Sequence, residues 1–98
     1  MNQTIESALR DLASVMAKLR APNDIHGLFF DLLTPTERQA LALRWLICQR
    51  LVEGVPQRAI AQEFRVSLCK ITRGSSELRR DGSVARRILE ARKAPPRT

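Results

Sequence analysis

The stretch of sequence that decides the fold is Gln57-Arg-Ala-Ile-Ala-Gln-Glu-Phe-Arg-Val-Ser-Leu-Cys-Lys-Ile-Thr-Arg-Gly-Ser75. Its apolar residues recur at helical spacing in two short runs, which predicts two helices joined by a tight turn, with Ser67 opening the second. Each helix is expected to turn an apolar stripe towards the other: Ile60, Phe64, Leu68, Ile71 and Leu78. Ala61 is small where the helices would cross, and Val66 would fill the turn.

The outward face of the second helix is expected to be polar and cationic, with Ser67, Lys70, Thr72 and Arg73 on it. A narrow recognition helix braced by a second helix is the arrangement with which a helix-turn-helix enters the major groove of DNA. A small helical hairpin with a solvated basic face would show the same pattern. If the hairpin binds DNA, the side chains expected at the interface are Arg58, Ser67, Leu68, Cys69, Lys70, Thr72 and Arg79. Of these, Arg58 and Lys70 are expected to reach base edges.

Charge is distributed unevenly along this chain of 98 residues, whose net charge is +7. Residues 1–55 contain six Lys/Arg and six Asp/Glu, whereas residues 56–98 contain eleven and four. The whole excess therefore lies in the half that holds the hairpin, which indicates a neutral body and a surface facing a polyanion. Because no long basic amphipathic stretch with bulky aromatic residues occurs, the pattern favours nucleic acid over a membrane surface.

Nothing in the sequence indicates catalysis, metal binding or a membrane span. His26 is the single histidine, and Cys48 and Cys69 lie far apart without metal-ligand spacing. Two unpaired thiols are typical of a reduced, cytosolic protein. The longest apolar run is well short of the ~18–20 residues of a membrane span, and the first residues do not resemble a signal peptide. We therefore expect a cytoplasmic protein that is not an enzyme and holds no metal.

Helical periodicity predicts six helices and no strand, and hence an all-α fold. The expected ranges are about 5–20, 25–33, 35–53, 57–64, 68–79 and 84–93. Thr4 is expected to cap the first helix, and Pro22-Asn-Asp24 to break the chain before the second. The chain is long enough for a single domain.

The first helix carries a heptad seam, in which successive apolar residues are spaced by four and three: Ile5, Leu9, Leu12, Met16 and Leu19. Such a seam packs against a partner helix. The partner helix can lie in the same subunit or in a second one. A chain this short buries only a thin core by itself, so we expect the seam to lie between two subunits.

The third helix has clear boundary signals. Thr34-Pro35-Thr36-Glu37 combines an N-cap hydroxyl, a proline at the first helical position and a capping-box carboxylate. Gly54 followed by Pro56 marks the end. Apolar residues cover almost the full circumference between them, which predicts a central helix packed on both sides. Arg44 stands among these residues, and it either extends to solvent or has a binding role.

Two motifs occur in order along the chain, Leu33-Thr34-Pro35-x-Glu37-Arg38-x-Ala40-Leu41 followed by Arg44, and Thr72-Arg73-Gly74-Ser75 followed by Leu78-Arg79. Together they resemble the tryptophan repressor family. The resemblance covers about residues 5–92 and is strongest over 32–80, with one residue fewer than usual near Val55-Pro56.

The resemblance implies an intertwined, six-helix homodimer with helix-turn-helix reading heads. Residues 1–55 and 83–93 would form the dimerisation core, 56–80 the reading head and 94–98 a frayed tail. L-Tryptophan would act as corepressor between the third helix and the recognition helix, holding the head in place for double-stranded operator DNA. The implied function is repression of genes for tryptophan biosynthesis or transport.

The resemblance also implies a set of ligand-binding residues. Arg44 and Arg73 would sandwich the indole ring, Arg73 would also meet the carboxylate, and Gly74 would let the ring approach the backbone. The other implied contacts are Thr34 near the carboxylate, Cys48 in the wall and, from the other subunit, the carbonyl groups of Asp31 and Leu33 on the ammonium group.

The sequence departs from the family pattern at two positions. Glu77 stands where the family has a small hydroxyl residue that helps to bind the ammonium group. Its carboxylate would either form a stronger, charge-assisted bond or crowd the site and change the ligand. Arg65 fills a turn position that usually holds glycine, and we expect it to adopt a positive φ.

The predicted function is therefore that of a dimeric, tryptophan-responsive transcriptional repressor. One alternative is a regulator of the same fold that is constitutive or is gated by another amino acid or an indole compound. Another is a small dimeric interaction protein, such as an antitoxin or adaptor, whose basic end meets an acidic protein. Arg58, Lys70 and Thr72 on one groove-facing surface favour DNA.

Overall fold

The structure, a computed structural model, describes residues 2–93 of the chain, with side chains from residue 4 onward. It contains six helices in that range: α1 (Asn2–Lys18), α2 (Pro22–Leu32), α3 (Pro35–Val52), α4 (Gln57–Phe64), α5 (Leu68–Arg79) and α6 (Val84–Lys93). No strand occurs within it, so the all-α prediction is confirmed. The tail predicted at 94–98 lies outside the described residues.

The chain divides into two compact units, one ending at Arg38 and one beginning at Gln39. In the first unit, two boundary predictions are wrong. α1 begins at Asn2, so Thr4 lies inside the helix instead of capping it, because asparagine is about as good a helix former as threonine and glutamine is a better one. Pro22 begins α2 instead of breaking the chain. The first N–H groups of a helix have no acceptor within the helix, so a proline at this position loses no hydrogen bond.

Both ends of α3 are capped as predicted. Thr34 N donates to Glu37 Oε1 at 2.8 Å, and Glu37 N donates to Thr34 Oγ1 at 3.2 Å, which completes a capping box. At the other end, Gly54 has φ 85°. Its N–H donates to the Leu51 carbonyl at 3.1 Å, while Val55 N–H donates to the Arg50 carbonyl at 3.0 Å. These two bonds form a Schellman motif and end the helix.

Three isoleucines form the core of the second unit. Ile47 of α3, Ile60 of α4 and Ile71 of α5 are 3%, 0% and 0% exposed. Burying a side chain of this size is worth about 1.5–3 kcal/mol, so the three together hold the hairpin on α3. Leu78 is buried as predicted, whereas Leu68 is 39% exposed. The prediction that Leu68 lies on the inner face is wrong, because Leu68 is the first residue of α5 and lies at a helix end that is exposed to solvent.

Polar contacts reinforce this packing. Arg50 Nε and Nη2 donate to the Glu63 carboxylate at 3.0–3.2 Å, which joins α3 to α4 in a two-pronged ion pair. The Arg50 guanidinium also lies 5.6 Å from the centroid of the Phe64 ring. The Thr72 hydroxyl donates to Gln57 Oε1 at 3.0 Å and joins α5 to α4. The hairpin is therefore braced both internally and against α3.

α6 returns to the end of α3. Ser83 caps α6, since its hydroxyl accepts from Arg86 N at 3.3 Å. Leu89 is 4% exposed. Lys93 Nζ donates to the Val52 carbonyl at 3.1 Å, and a cation at the C-terminal end of a helix suits the helix dipole.

The turn between α4 and α5 carries local backbone strain. Arg65 has φ 56° and ψ 48°, the left-handed conformation predicted for it. Because a Cβ atom is disfavoured there, Arg65→Gly is expected to raise the free energy of unfolding by about 1 kcal/mol. Urea unfolding measures the change. Arg65→Ala is the control, since it shortens the side chain but keeps the Cβ, and an equal gain in both variants would rule out strain as the cause.

Candidate ligand cleft and DNA-binding surface

A cleft with a volume of about 390 Å³ lies between α3 and α5. Small-molecule sites commonly measure about 300–1,000 Å³, so the cleft has room for a ligand of amino-acid size. All of its lining residues belong to the second unit: Arg44, Ile47, Cys48, Ser67, Cys69, Lys70, Arg73, Gly74 and Glu77.

Helical spacing explains how α5 contributes to this lining. Lys70, Arg73, Gly74 and Glu77 follow one another at steps of three, one and three residues, so they share one face of the helix. On α3, Ile47 and Cys48 follow Arg44 by three and four residues in the same way. The structure thus brings five of the residues implied for ligand binding into one cleft: Arg44, Cys48, Arg73, Gly74 and Glu77.

The cleft is predominantly cationic. Arg44, Lys70 and Arg73 are exposed, and Glu77 supplies one negative charge. Within the described residues, Arg44 and Arg73 take part in no ion pair and no side-chain hydrogen bond. Both guanidinium groups are therefore able to bind a ligand. Burial raises the pKa of the Cys48 thiol, so this part of the wall stays neutral. The arrangement suits an aromatic ligand that carries a carboxylate.

Gly74 lies where α5 approaches α3. A Cβ atom at this position would be 3.5 Å from Ile47 Cγ2 and 3.7 Å from Leu51 Cδ1, which is ordinary van der Waals contact. The packing of α5 on α3 therefore tolerates an alanine and does not require a glycine at this position.

Gly74→Ala is accordingly expected to separate stability from binding. Alanine is favoured over glycine inside a helix by about 1 kcal/mol, so the free energy of unfolding should stay the same or rise. The added methyl group takes up space in the cleft, and affinity for an indole ligand should fall. Chemical denaturation and calorimetric titration measure the two effects, and a destabilised variant would mean that Gly74 serves the helix packing.

Ile47 lines the cleft, although it is not among the residues implied for ligand binding by the sequence. The signal was present, because Ile47 is one helical turn from Arg44, a position implied for the ligand. Ser67, Cys69 and Lys70, assigned to DNA from the sequence, also line the cleft. The first turn of α5 therefore borders both the cleft and the outward surface.

Three residues implied for the ligand belong to the first unit and are not in this lining. The Thr34 hydroxyl serves in the capping box of α3. The Leu33 carbonyl accepts from Arg38 Nη1 at 2.8 Å. Asp31 is an exposed residue of α2. Their implied roles stay predictions.

The seven residues expected to contact DNA are all exposed: Arg58, Ser67, Leu68, Cys69, Lys70, Thr72 and Arg79. Two of them also have structural partners. The Ser67 hydroxyl accepts from Lys70 N at 3.2 Å and caps α5, and the Thr72 hydroxyl bonds to Gln57. The remaining side chains leave a basic outer face on the hairpin, as the charge distribution predicts.

In the part of the chain that the structure describes, no group of three or more His, Cys, Asp or Glu side chains is placed to hold a metal ion. Among the six helices, none combines the length and apolar character needed to cross a membrane.

Comparison with known proteins agrees with this geometry. The sequence model of the family described as Trp repressor protein matches residues 7–93. A Trp operon repressor homolog of Chlamydia caviae is 40% identical over 75 residues, which are 76% of this chain and 74% of the relative. One of Aliivibrio salmonicida is 40% identical over 67 residues, covering 67% and 62%, and one of Chlamydia trachomatis serovar D is 34% identical over 80 residues, covering 81% and 85%.

No solved structure matched the chain significantly. The family match nevertheless spans both motifs, the hairpin and most of the six helices. The chain belongs to the Trp repressor family of DNA-binding transcription regulators.

Proposed function

We propose that the protein is a homodimeric repressor that binds double-stranded operator DNA in response to L-tryptophan and controls genes for tryptophan biosynthesis or transport. The observation that carries the proposal is the position of the cleft. It lies on the inner side of α5, the helix whose outer side carries the basic surface. A ligand in the cleft therefore acts on the helix that would read DNA.

In the proposed complex the indole ring lies between Arg44 and Arg73, above Gly74. A guanidinium over an aromatic face is worth about 0.5–2 kcal/mol, more when water is excluded. Arg73 also binds the carboxylate, Cys48 forms part of the wall, and Thr34 stands near the carboxylate. The carbonyl groups of Asp31 and Leu33 from the second subunit lie close to the ammonium group.

On DNA, α5 enters the major groove and α4 crosses the backbone. Arg58 and Lys70 contact base edges, and Arg79 binds a phosphate. The remaining contacts to bases or phosphates come from Ser67, Leu68, Cys69 and Thr72. Two heads of a dimer reach successive major grooves only when they are held about 34 Å apart, one turn of the duplex.

Tryptophan can favour this spacing only by binding the DNA-competent arrangement more tightly than the others. A ligand bound between α3 and α5 would bind one arrangement more tightly than the others, because a movement of the reading head would open or close the cleft. Linkage then requires operator DNA to tighten tryptophan binding by the factor with which tryptophan tightens DNA binding.

The proposal is tested with operator duplexes selected by the protein from a randomised DNA pool. Affinity for the selected duplex and for a scrambled one is measured with and without saturating L-tryptophan, over a range of salt concentrations. A tryptophan-dependent gain confined to the selected duplex supports the proposal. Equal operator affinity in both conditions would leave a constitutive or differently gated regulator, and affinity without salt dependence or preference for a duplex would favour an interaction protein.

A further inference from the structure

We infer that the ion pair between Arg50 and Glu63 positions the reading head, holding α4 and α5 on α3 in the arrangement that binds ligand and DNA before any ligand is present. The pair thereby limits the gain in operator affinity that the ligand can produce. The inference rests on the proposed function, because it concerns the same coupling between the ligand and the reading head.

The geometry of the pair is the first support. Arg50 Nε and Nη2 donate to both carboxylate oxygens of Glu63 at 3.0–3.2 Å. An arginine–carboxylate pair with two parallel bonds fixes orientation as well as distance. The two side chains are 29% and 41% exposed, and the ring of Phe64 lies 5.6 Å from the guanidinium group. Fully exposed pairs contribute little, whereas a half-buried pair of this geometry is expected to stabilise the contact between α3 and α4.

The second support is that the pair restrains a helix that the ligand does not touch. The residues that line the cleft come from α3, from α5 and from the N-cap of α5, whereas Glu63 belongs to α4. The hairpin is nevertheless one body, since Ile60 and Ile71 are buried together and the Thr72 hydroxyl bonds to Gln57. An interaction that holds α4 on α3 therefore also restricts the movement of α5.

The third support is that the pair and a ligand favour the same arrangement. With the pair formed, the cleft between α3 and α5 is open and has a volume of about 390 Å³, which suits an amino acid. An internal interaction that favours the binding arrangement raises its population in the absence of ligand. The ion pair therefore supplies part of the stabilisation that would otherwise come from the ligand alone.

The inference is tested with Glu63→Gln, which keeps the shape of the side chain and removes its charge. Operator affinity without tryptophan is expected to fall about 3- to 10-fold, the factor that corresponds to a partly exposed ion pair. At saturating tryptophan the fall should be smaller, so the tryptophan-induced gain should increase. Calorimetric titration without DNA should show weaker tryptophan binding, because the binding arrangement is less populated, although Glu63 does not line the cleft.

Glu53→Gln is the matched control. Glu53 Oε1 lies 3.9 Å from Nη1 of the same Arg50, but Glu53 directly follows α3 and joins it to no other helix. Its substitution should leave operator affinity and tryptophan affinity unchanged. Because Arg50 and Glu63 act as a unit, combining Arg50→Gln with Glu63→Gln should cost no more affinity than either substitution alone.

An equal fall in operator affinity with and without tryptophan would overturn the inference, because the pair would then serve the fold or the DNA contact alone. A rise in the tryptophan-free affinity would overturn it too, since the pair would then hold the head away from DNA. If the unmodified protein binds operator equally well in both conditions, it is the proposed gating that fails. A lower operator affinity in Glu63→Gln than in Glu53→Gln would in that case still support the positioning role.

Discussion

Arg73→Ala is expected to abolish the tryptophan-induced gain in operator affinity while leaving most of the non-specific DNA affinity in place. In the proposed complex Arg73 touches both the ring and the carboxylate of the ligand. A cation over a ring is worth about 0.5–2 kcal/mol and a charged hydrogen bond about 1.5–3 kcal/mol. Losing both weakens tryptophan binding by about 30-fold or more, since each 1.4 kcal/mol is a factor of ten. Non-specific affinity is shared among many phosphate contacts, so one lost cation changes it little.

Arg79→Ala is the matched control for this prediction. Arg79 lies on the same helix, is exposed, and is absent from the cleft lining. Its loss should weaken DNA binding equally with and without tryptophan, and tryptophan affinity measured by titration should not change. A full tryptophan response in Arg73→Ala would contradict the proposed ligand pose. A lost response in Arg79→Ala would instead assign the response to the DNA contacts of α5.

Unfolding of the protein is expected to depend strongly on its concentration, because we expect the folded form to be an obligate dimer. Ile5 and Leu9 of the heptad seam are each 58% exposed in the single chain, and Ile88 of α6 is 46% exposed. On α3, Trp45 and Leu46 are 36% and 37% exposed beside the buried isoleucine core. A second subunit would cover such residues. Diluting a two-state dimer 100-fold should lower its apparent free energy of unfolding by about 2.8 kcal/mol.

Sedimentation and thermal unfolding over that range of concentration check this expectation. Leu9→Asp places a charge in the seam and should dissociate or unfold the protein, since an unpaired charge is costly to bury. Ser7→Asp is the control, because it adds the same charge to an exposed position of α1 outside the seam. A compact, folded monomer at micromolar concentration would contradict the dimer prediction, as would equal effects of the two substitutions.

Local signals in the sequence were sufficient for the second half of the fold. The limits of α4, α5 and α6 match the ranges predicted from periodicity. The capping box at Thr34, the Schellman end at Gly54 and the positive φ of Arg65 were all predicted. Each depends on residues within about one helical turn of one another, and such interactions can be recognised along the chain.

Local signals in the sequence failed where the same residues are compatible with two different local structures. Pro22 is compatible with a chain break and with the first turn of a helix, and in the structure it begins α2. Thr4 is compatible with a cap and with a helix interior. Leu68 fits the apolar stripe by spacing, yet the end of the helix leaves it exposed. For Pro22 and Thr4 the outcome depends on the helix preferences of neighbouring residues, which differ too little to fix where a helix begins. For Leu68 it depends on which part of α5 the other helices cover.

The sequence by itself determined the helical class, the hairpin with its basic outer face and, through two motifs, the family. Only the tertiary structure decided which residues meet. Arg44 and Glu77 are 33 positions apart, and nothing in their local context shows that one cleft holds both. The same is true of the Arg50–Glu63 ion pair and of Ile47 as part of the cleft wall. Such contacts arise because burial of the three core isoleucines sets how α3, α4 and α5 cross, and crossing geometry is a property of packed surfaces and not of any one segment.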